Sequence, residues 1–243
     1  MKTICFASKK GGVGKTTSAI ICGLIMAKKH RVLFIDLDSQ NAMTSFFFEN
    51  IADFEKRTLL EAITGDIMFK DAIFNIGNNV DMIPSKLEFE NINFLQLSGK
   101  ELFLRIELEN LDYDYVIIDT PPNLFTETVL GLSAANTVVI PARLEKMDTR
   151  AISFTLDKIN NQIKKYFNPS LENVYILPTQ YNYQNRTVND LALQTLKENF
   201  NDKTLDILIK LNSQVSKFNF LGYESDSNLK YFTEYHELVE VIK

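Results

Sequence analysis

Short runs of apolar, β-branched residues alternate along this chain with longer stretches whose apolar positions recur every three or four residues. Residues Thr3–Ala7, Arg31–Asp36, Val80–Ile83, Tyr113–Asp119, Thr137–Ile140, Val174–Leu177 and Thr204–Lys210 read as strands. Pro84, Pro121 and Pro141 are expected to stop three of them. Helical spacing predicts helices over Thr16–Lys29, Lys100–Asn110, Asp148–Tyr166, Thr187–Phe200 and Leu229–Ile242. In the first, Ala19, Ile20, Gly23, Leu24 and Ala27 share one side. Strands alternating with longer helices predict an α/β fold, a doubly wound and mostly parallel sheet with helices on both faces. No repeat, low-complexity tract or linker interrupts the pattern, so one domain over residues 1–243 is expected.

Composition narrows the function classes. The net charge of −5 argues against a protein that coats nucleic acid through overall charge. A local basic patch is compatible with it. Only Cys5 and Cys22 are present, which excludes a disulfide scaffold and an all-cysteine metal site. Both are expected to fill the core. The apolar stretch Ser18–Ala27 is too short to span a bilayer, and Lys9, Lys10 and Lys15 break the place where a signal peptide would be apolar. A cytoplasmic protein with no membrane partner is expected. His30 and His236 have no metal-like partners at usable spacing.

The chemistry concentrates between the first strand and first helix, in Ser8-Lys9-Lys10-Gly11-Gly12-Val13-Gly14-Lys15-Thr16-Thr17. A glycine-rich turn leading into a helix N-terminus gathers backbone N–H groups and positive dipole, which suits phosphate. Lys15 supplies a charge for the β/γ-phosphates, and the Thr16 hydroxyl suits Mg²⁺. Gly11, Gly12, Val13, Gly14 and Thr17 would line the phosphates. The plain G-x-x-x-x-G-K-[ST] pattern is not met, because Lys9 stands where its first glycine belongs. Asp36 and Asp38 follow the second strand, at the edge where ligands bind open α/β sheets. Spacing of two would put both on one side of a strand. Asp119 ends a buried apolar run, the arrangement that delivers a carboxylate toward Mg²⁺.

The K-G-G-V-G-K-T loop resembles the deviant Walker A of the ParA/MinD class of P-loop ATPases. Ile35-Asp36-Leu37-Asp38-Ser39-Gln40-Asn41-Ala42-Met43-Thr44 is similar to that class's V-D-x-D-P-Q-G-N-A-T, without its proline and glycine. Ile118-Asp119-Thr120-Pro121-Pro122 matches I-D-T-P-P, and Val80-Asp81-Met82-Ile83-Pro84-Ser85 looks like its L-x-L-I-P-S strand. Val138-Val139-Ile140-Pro141 followed by Glu145 looks like V-I-P-V-Q-x-E. The resemblance implies an ATP- and Mg²⁺-dependent ATPase that closes as a homodimer on ATP. Lys10 would reach the partner's nucleotide, Asp38 would position the attacking water, and Asp36 would support the Mg²⁺ shell with Thr16 and Asp119. Lys10, Lys15 and Asp38 are the implied catalytic residues.

Within that class the chain looks most like a short, Soj-type partition ATPase. No basic membrane helix of the MinD type, no mid-chain cysteine pair of the nitrogenase iron protein type, no C-x-x-C and no terminal tyrosine cluster of an autokinase is seen. The resemblance implies non-specific DNA binding in the ATP state, release on hydrolysis, association with the nucleoid, and a centromere-binding partner. Asn185-Arg186-Thr187 matches a DNA-contacting x-R-T segment. Gln214 stands where a later arginine is usual, with Lys210 and Lys217 nearby as substitutes. Residues 151–243 are nearly balanced at ten basic and eleven acidic residues. DNA contact must therefore rest on a few cations. Two alternatives stay open: a nucleotide-gated positioning ATPase acting on a protein or polar scaffold, and a ligase of the cobyrinic acid type. The aromatic run Phe46–Phe48 reads as a helix face and loop packing rather than a base-stacking platform. Phe218 and Phe220 read as a strand or loop that buries one side.

Overall fold

The computed structural model describes residues 1–50, 54–88, 99–144, 149–224 and 226–243. The strands are β1 (Lys2–Phe6), β2 (Val32–Asp36), β3 (Phe74–Gly77), β4 (Val80–Ile83), β5 (Tyr115–Asp119), β6 (Thr137–Arg143) and β7 (Asn173–Thr179). They form one seven-stranded sheet in the order β3-β4-β2-β5-β1-β6-β7. All pairings are parallel except β3 with β4. That hairpin turns at Asn78 and Asn79, both left-handed with φ 46° and 66°, a conformation asparagine tolerates and two-residue hairpins need.

Each face of the sheet carries its own core. Leu33, Ile35, Val116, Ile118, Val138 and Ile140 pack on one side. Against them lie α3 (Leu59–Thr64), α4 (Phe103–Leu108), α5 (Thr126–Ala134) and α6 (Thr149–Lys158), which runs on as a wider π-helical turn over Ile159–Phe167. Val32, Phe34, Ile117 and Val139 point the other way, toward α1 (Lys15–Ala27), α2 (Ala42–Phe47), α8 (Ser213–Leu221) and α9 (Thr233–Ile242). Alternate residues thus serve opposite cores, which is why the strands read as continuous apolar runs. The remaining helix, α7 (Arg186–Phe200), follows β7. Cys5 and Cys22 are fully buried, and burial pushes both thiols up.

Gly23 marks the closest approach of α1 to the sheet. A Cβ there would lie 2.3 Å from the buried Phe34 ring. Alanine gains ~1 kcal/mol of helix propensity over glycine. Forcing the ring aside costs about 1–3 kcal/mol. Gly23→Ala is therefore expected to lower stability by up to ~2 kcal/mol net, read as a lower urea midpoint with unchanged m.

Several expected boundaries are corrected. β6 does not stop at Pro141; it continues to Arg143, paired with β7 throughout. Val139 accepts from Ala7 at the end of β1. Pro141, two residues on, therefore turns its missing N–H toward the side that β1 has already left. Thr204–Lys210 is not a strand. Only isolated bridges join Thr204 to Ile176 and Lys210 to Tyr181. The Pro178 carbonyl accepts from Ile209, so the N–H that proline lacks is missing on that same edge, and the ladder cannot close. Phe218 and Phe220 lie on α8, with Phe218 buried and Phe220 89% exposed. Glu145 and Asp148 lie outside the described residues.

Candidate functional site

β1 delivers the glycine-rich loop at the C-terminal edge of the sheet. Gly12 and Gly14 take left-handed angles, φ 67° and 91°, which a Cβ would disfavour. Gly14 is the residue preceding α1, and its carbonyl accepts from Ser18 N–H at 3.0 Å. Gly11 lies beside the proline turn after β5, where a Cβ would be 3.7 Å from Pro122. Lys9 and Lys10 are exposed, and the Lys9 ammonium sits 4.2 Å from the centre of the Phe154 ring. Lys15 is the opposite: it is buried, and its Nζ reaches the Lys10 carbonyl at 3.4 Å. Burial pulls its ammonium below the usual lysine range, opposed by the charges of Asp119 and Asp38. Both carboxylates thus lie near enough to act on Lys15 through charge.

Asp119 is fully buried at the end of β5, in register with Phe6 of β1 and Asp36 of β2. Its Oδ2 accepts from the Thr16 hydroxyl at 2.6 Å. Its Oδ1 has no hydrogen-bond partner among the described residues. Burial pushes this carboxyl well above its ordinary range, and the neighbouring Asp36 adds to the shift. A buried oxygen left without a donor, beside a threonine hydroxyl and a phosphate-type loop, fits a hard cation completed by phosphate oxygens and water. Among the described residues no three or more His, Cys, Asp or Glu converge on a metal site. The cation would therefore be shared with the phosphates.

Asp36 is differently occupied. Its Oδ1 accepts from Asp38 N–H at 2.9 Å, and its Oδ2 from Thr44 N–H at 2.9 Å and the Thr44 hydroxyl at 2.8 Å. Burial pushes it up to about 6 against those three bonds. Asp36 thus braces the backbone of Asp38 and the start of α2. Asp38 lies past the strand end, so strand alternation no longer sets its direction. Instead its Oδ1 accepts from Gln40 N–H at 3.0 Å and its carbonyl from Asn41 N–H at 2.9 Å.

Thr17 accepts from the Asn219 amide of α8 at 3.0 Å. The Thr120 hydroxyl donates to the Phe6 carbonyl at 2.9 Å and ties the proline turn to β1. Beneath the loop, Thr179 and Gln180 at the end of β7 donate to the carbonyls of Val13 and Gly12 at 2.9 and 2.7 Å. Thr44, Thr179, Gln180 and Asn219 were not singled out by the sequence. Thr44 sits inside a quoted motif and was within reach; the other three come from segments with no local signature.

The three expected DNA cations lie on segments that each reach one cleft, which Lys210 alone of the three lines. Tyr183, Lys210, Leu211, Asn212 and Val215 line one cleft of about 190 Å³. Arg186 begins the helix just after Tyr183, and Lys217 follows Val215 on α8. Arg186 pairs with Asp190 at 3.3 Å and Lys210 with Glu234 at 2.8 Å. Lys217 is exposed, with no ion-pair partner among the described residues. No helix among those residues is long and apolar enough to cross a membrane.

The family model of the AAA domain matches residues 1–173. The chain is 30% identical over 222 residues to the sporulation initiation inhibitor protein Soj of Bacillus subtilis, covering 89% of this chain and 87% of Soj. It is 30% identical over 227 residues to the chromosome partitioning protein ParA of Caulobacter vibrioides, covering 89% and 83%. Among solved structures, a plasmid partition protein of Borrelia burgdorferi bound to AMPPNP superposes with a TM-score of 0.81 at 28% identity, covering 99% of this chain and 98% of that one. Cobyrinic acid a,c-diamide synthase of Mycobacterium smegmatis with ADP and magnesium superposes at 0.83 and 25% identity, covering 99% and 93%.

Proposed function

From the premise that this chain belongs to the ParA/Soj family of P-loop ATPases, we propose that it is a Mg²⁺-dependent partition ATPase, one domain over residues 1–243. It closes as a homodimer on ATP, holds DNA without sequence preference, and releases it on hydrolysis. The observation that carries the ATPase reading is the buried Asp119 beside the glycine loop, with one oxygen on Thr16 and the other without a hydrogen-bond partner among the described residues. The relatives' partition functions support the cellular role.

Each residue has a role in this reading. Val13, Gly14 and their neighbours turn N–H groups to the phosphates, and Lys15 meets the β/γ oxygens. Lys10, exposed at the lip of the loop, neutralises the partner's triphosphate. Thr16 and Asp119 would hold Mg²⁺, which would supply positive charge against that developing on the phosphoryl oxygens. Asp38 accepts and aims the attacking water, and Asp36 fixes Asp38. A ligase shares the fold but has no use for Lys10. Turnover that required a small acid co-substrate would favour the ligase and sink the partition reading.

DNA binding is tested by ATP-dependent retention on DNA across a salt series. Arg186→Ala and Lys217→Ala are each expected to lower the slope of log affinity against log salt by about 0.9 per subunit, equally on all sequences. The balanced charge of the C-terminal region makes these few contacts decisive. No retention of the parent protein at low salt would overturn the DNA reading. It would favour a positioning ATPase that acts on a protein scaffold together with a partner protein.

A further inference from the structure

Two consecutive side chains at the end of β7 hold two consecutive carbonyls of the glycine loop. The buried Thr179 hydroxyl donates to Val13, and the Gln180 amide donates to Gly12. A trans peptide group is planar, with its C=O and N–H pointing opposite ways. The Gly12 carbonyl shares its peptide with the Val13 N–H, and the Val13 carbonyl with that of Gly14. Drawing both carbonyls toward β7 turns both N–H groups away from it, toward the open side of the loop. Successive N–H groups aimed in this way form an anion-binding nest.

Gln180 holds this contact from a left-handed backbone, φ 56°. A side chain with a Cβ is disfavoured there, and such outliers persist where surrounding contacts fix them. Its amide is the link between that backbone and a glycine with no side chain to pack.

We infer that Gln180 is a positioning residue for the phosphate cradle. It fixes the peptide between Gly12 and Val13 before nucleotide arrives, with Thr179 doing the same one residue on. The inference rests on the loop being the phosphate site. It deepens that reading by assigning the orientation of the cradle to the end of β7, far away in the sequence.

The test is titration of the full chain with MgADP by calorimetry, beside thermal unfolding of the nucleotide-free protein. Gln180→Gly removes the donor and relieves the left-handed backbone. Its unfolding midpoint is expected to stay level or rise, while the ADP dissociation constant rises roughly fivefold to tenfold, the scale of one hydrogen bond. Gln180→Asn tolerates the same angles but is one methylene short, and is expected to match it. In ATP turnover, KM should rise with the dissociation constant while kcat stays within about twofold, because a cradle binds ground and transition states alike. ADP binding within twofold of the parent in both variants overturns the inference. So does a loss of affinity that merely tracks a lower unfolding midpoint. Lys15→Ala separates the two levels. If it loses ADP while the Gln180 variants keep it, only this inference falls. If it binds ADP like the parent, the phosphate-site reading falls as well.

Discussion

Lys15→Ala is expected to bring ATP turnover down by at least ~100-fold and to weaken ATP binding by more than ~10-fold, because it removes a charge aimed at the β/γ-phosphates from a water-poor site. The nucleotide-free protein should lose stability as well. Lys15 is buried, with a long 3.4 Å contact to a carbonyl; burial pulls its ammonium down and the charges of Asp119 and Asp38 oppose that. Removing the ammonium leaves the buried Asp119 and Asp38 without the cation their charges act on, and deleting one partner of a buried charge group is destabilising. Thermal unfolding with and without MgATP checks both halves. The parent midpoint should climb with MgATP, and the variant's should start lower and climb less at the same concentration. Lys10→Ala makes the contrast, because its side chain is exposed. Nucleotide binding by the monomer should persist there while ATP-dependent dimerisation is lost. A Lys15→Ala protein whose midpoint rises with MgATP as far as the parent's would remove the loop from the phosphate site.

The site was legible in the sequence wherever chemistry and local geometry coincide. Glycines at positions 12 and 14 occupy left-handed angles, and a buried apolar run does end in a carboxylate at Asp119. The doubly wound sheet followed from apolar runs that serve two cores at once. Elements whose stability comes from elsewhere were missed. The six-residue helices α2 and α3 are too short to show a period, and α3 is held by a capping box between Thr58 and Glu61. α5 shows no apolar stripe because it is buried nearly all round, the polar Thr128 and Ser133 included. β3 hung on the Asn78–Asn79 turn, whose meaning depends on a partner strand.

Prolines misled in both directions. Pro141 was expected to end a strand, and Pro178 was not expected to spoil the one beside it. Proline harms a ladder only on the side its nitrogen faces, and a sequence does not state which neighbour lies there. The role of Asp36 was hidden for a related reason. Spacing brought it to the right edge of the sheet. Only the folded chain shows Thr44 and Asp38 taking up its oxygens.

That division of labour between the two aspartates gives the second large effect. Asp38→Ala is expected to lower kcat by ~10²–10⁴-fold, the range of a lost general base or water-positioning group, while ATP affinity changes by less than about threefold. Asp38 is nearly buried, and its backbone is pinned by Asp36 and Asn41, so truncation at Cβ should leave the loop in place. Asp36→Ala should behave differently. It strands the buried hydroxyl and N–H of Thr44 together with the Asp38 N–H, and a buried donor without a partner costs about 1–3 kcal/mol. Its unfolding midpoint should fall, and kcat should fall because Asp38 is no longer held. Single-turnover hydrolysis alongside direct ATP titration separates the cases. Asp38→Ala should bind ATP and hold the dimer closed; Asp36→Ala should lose stability first. If Asp38→Ala hydrolysed ATP at the parent rate, the water-positioning group would have to be sought elsewhere. If it lost ATP binding instead, Asp38 would belong to the cradle rather than to the reaction.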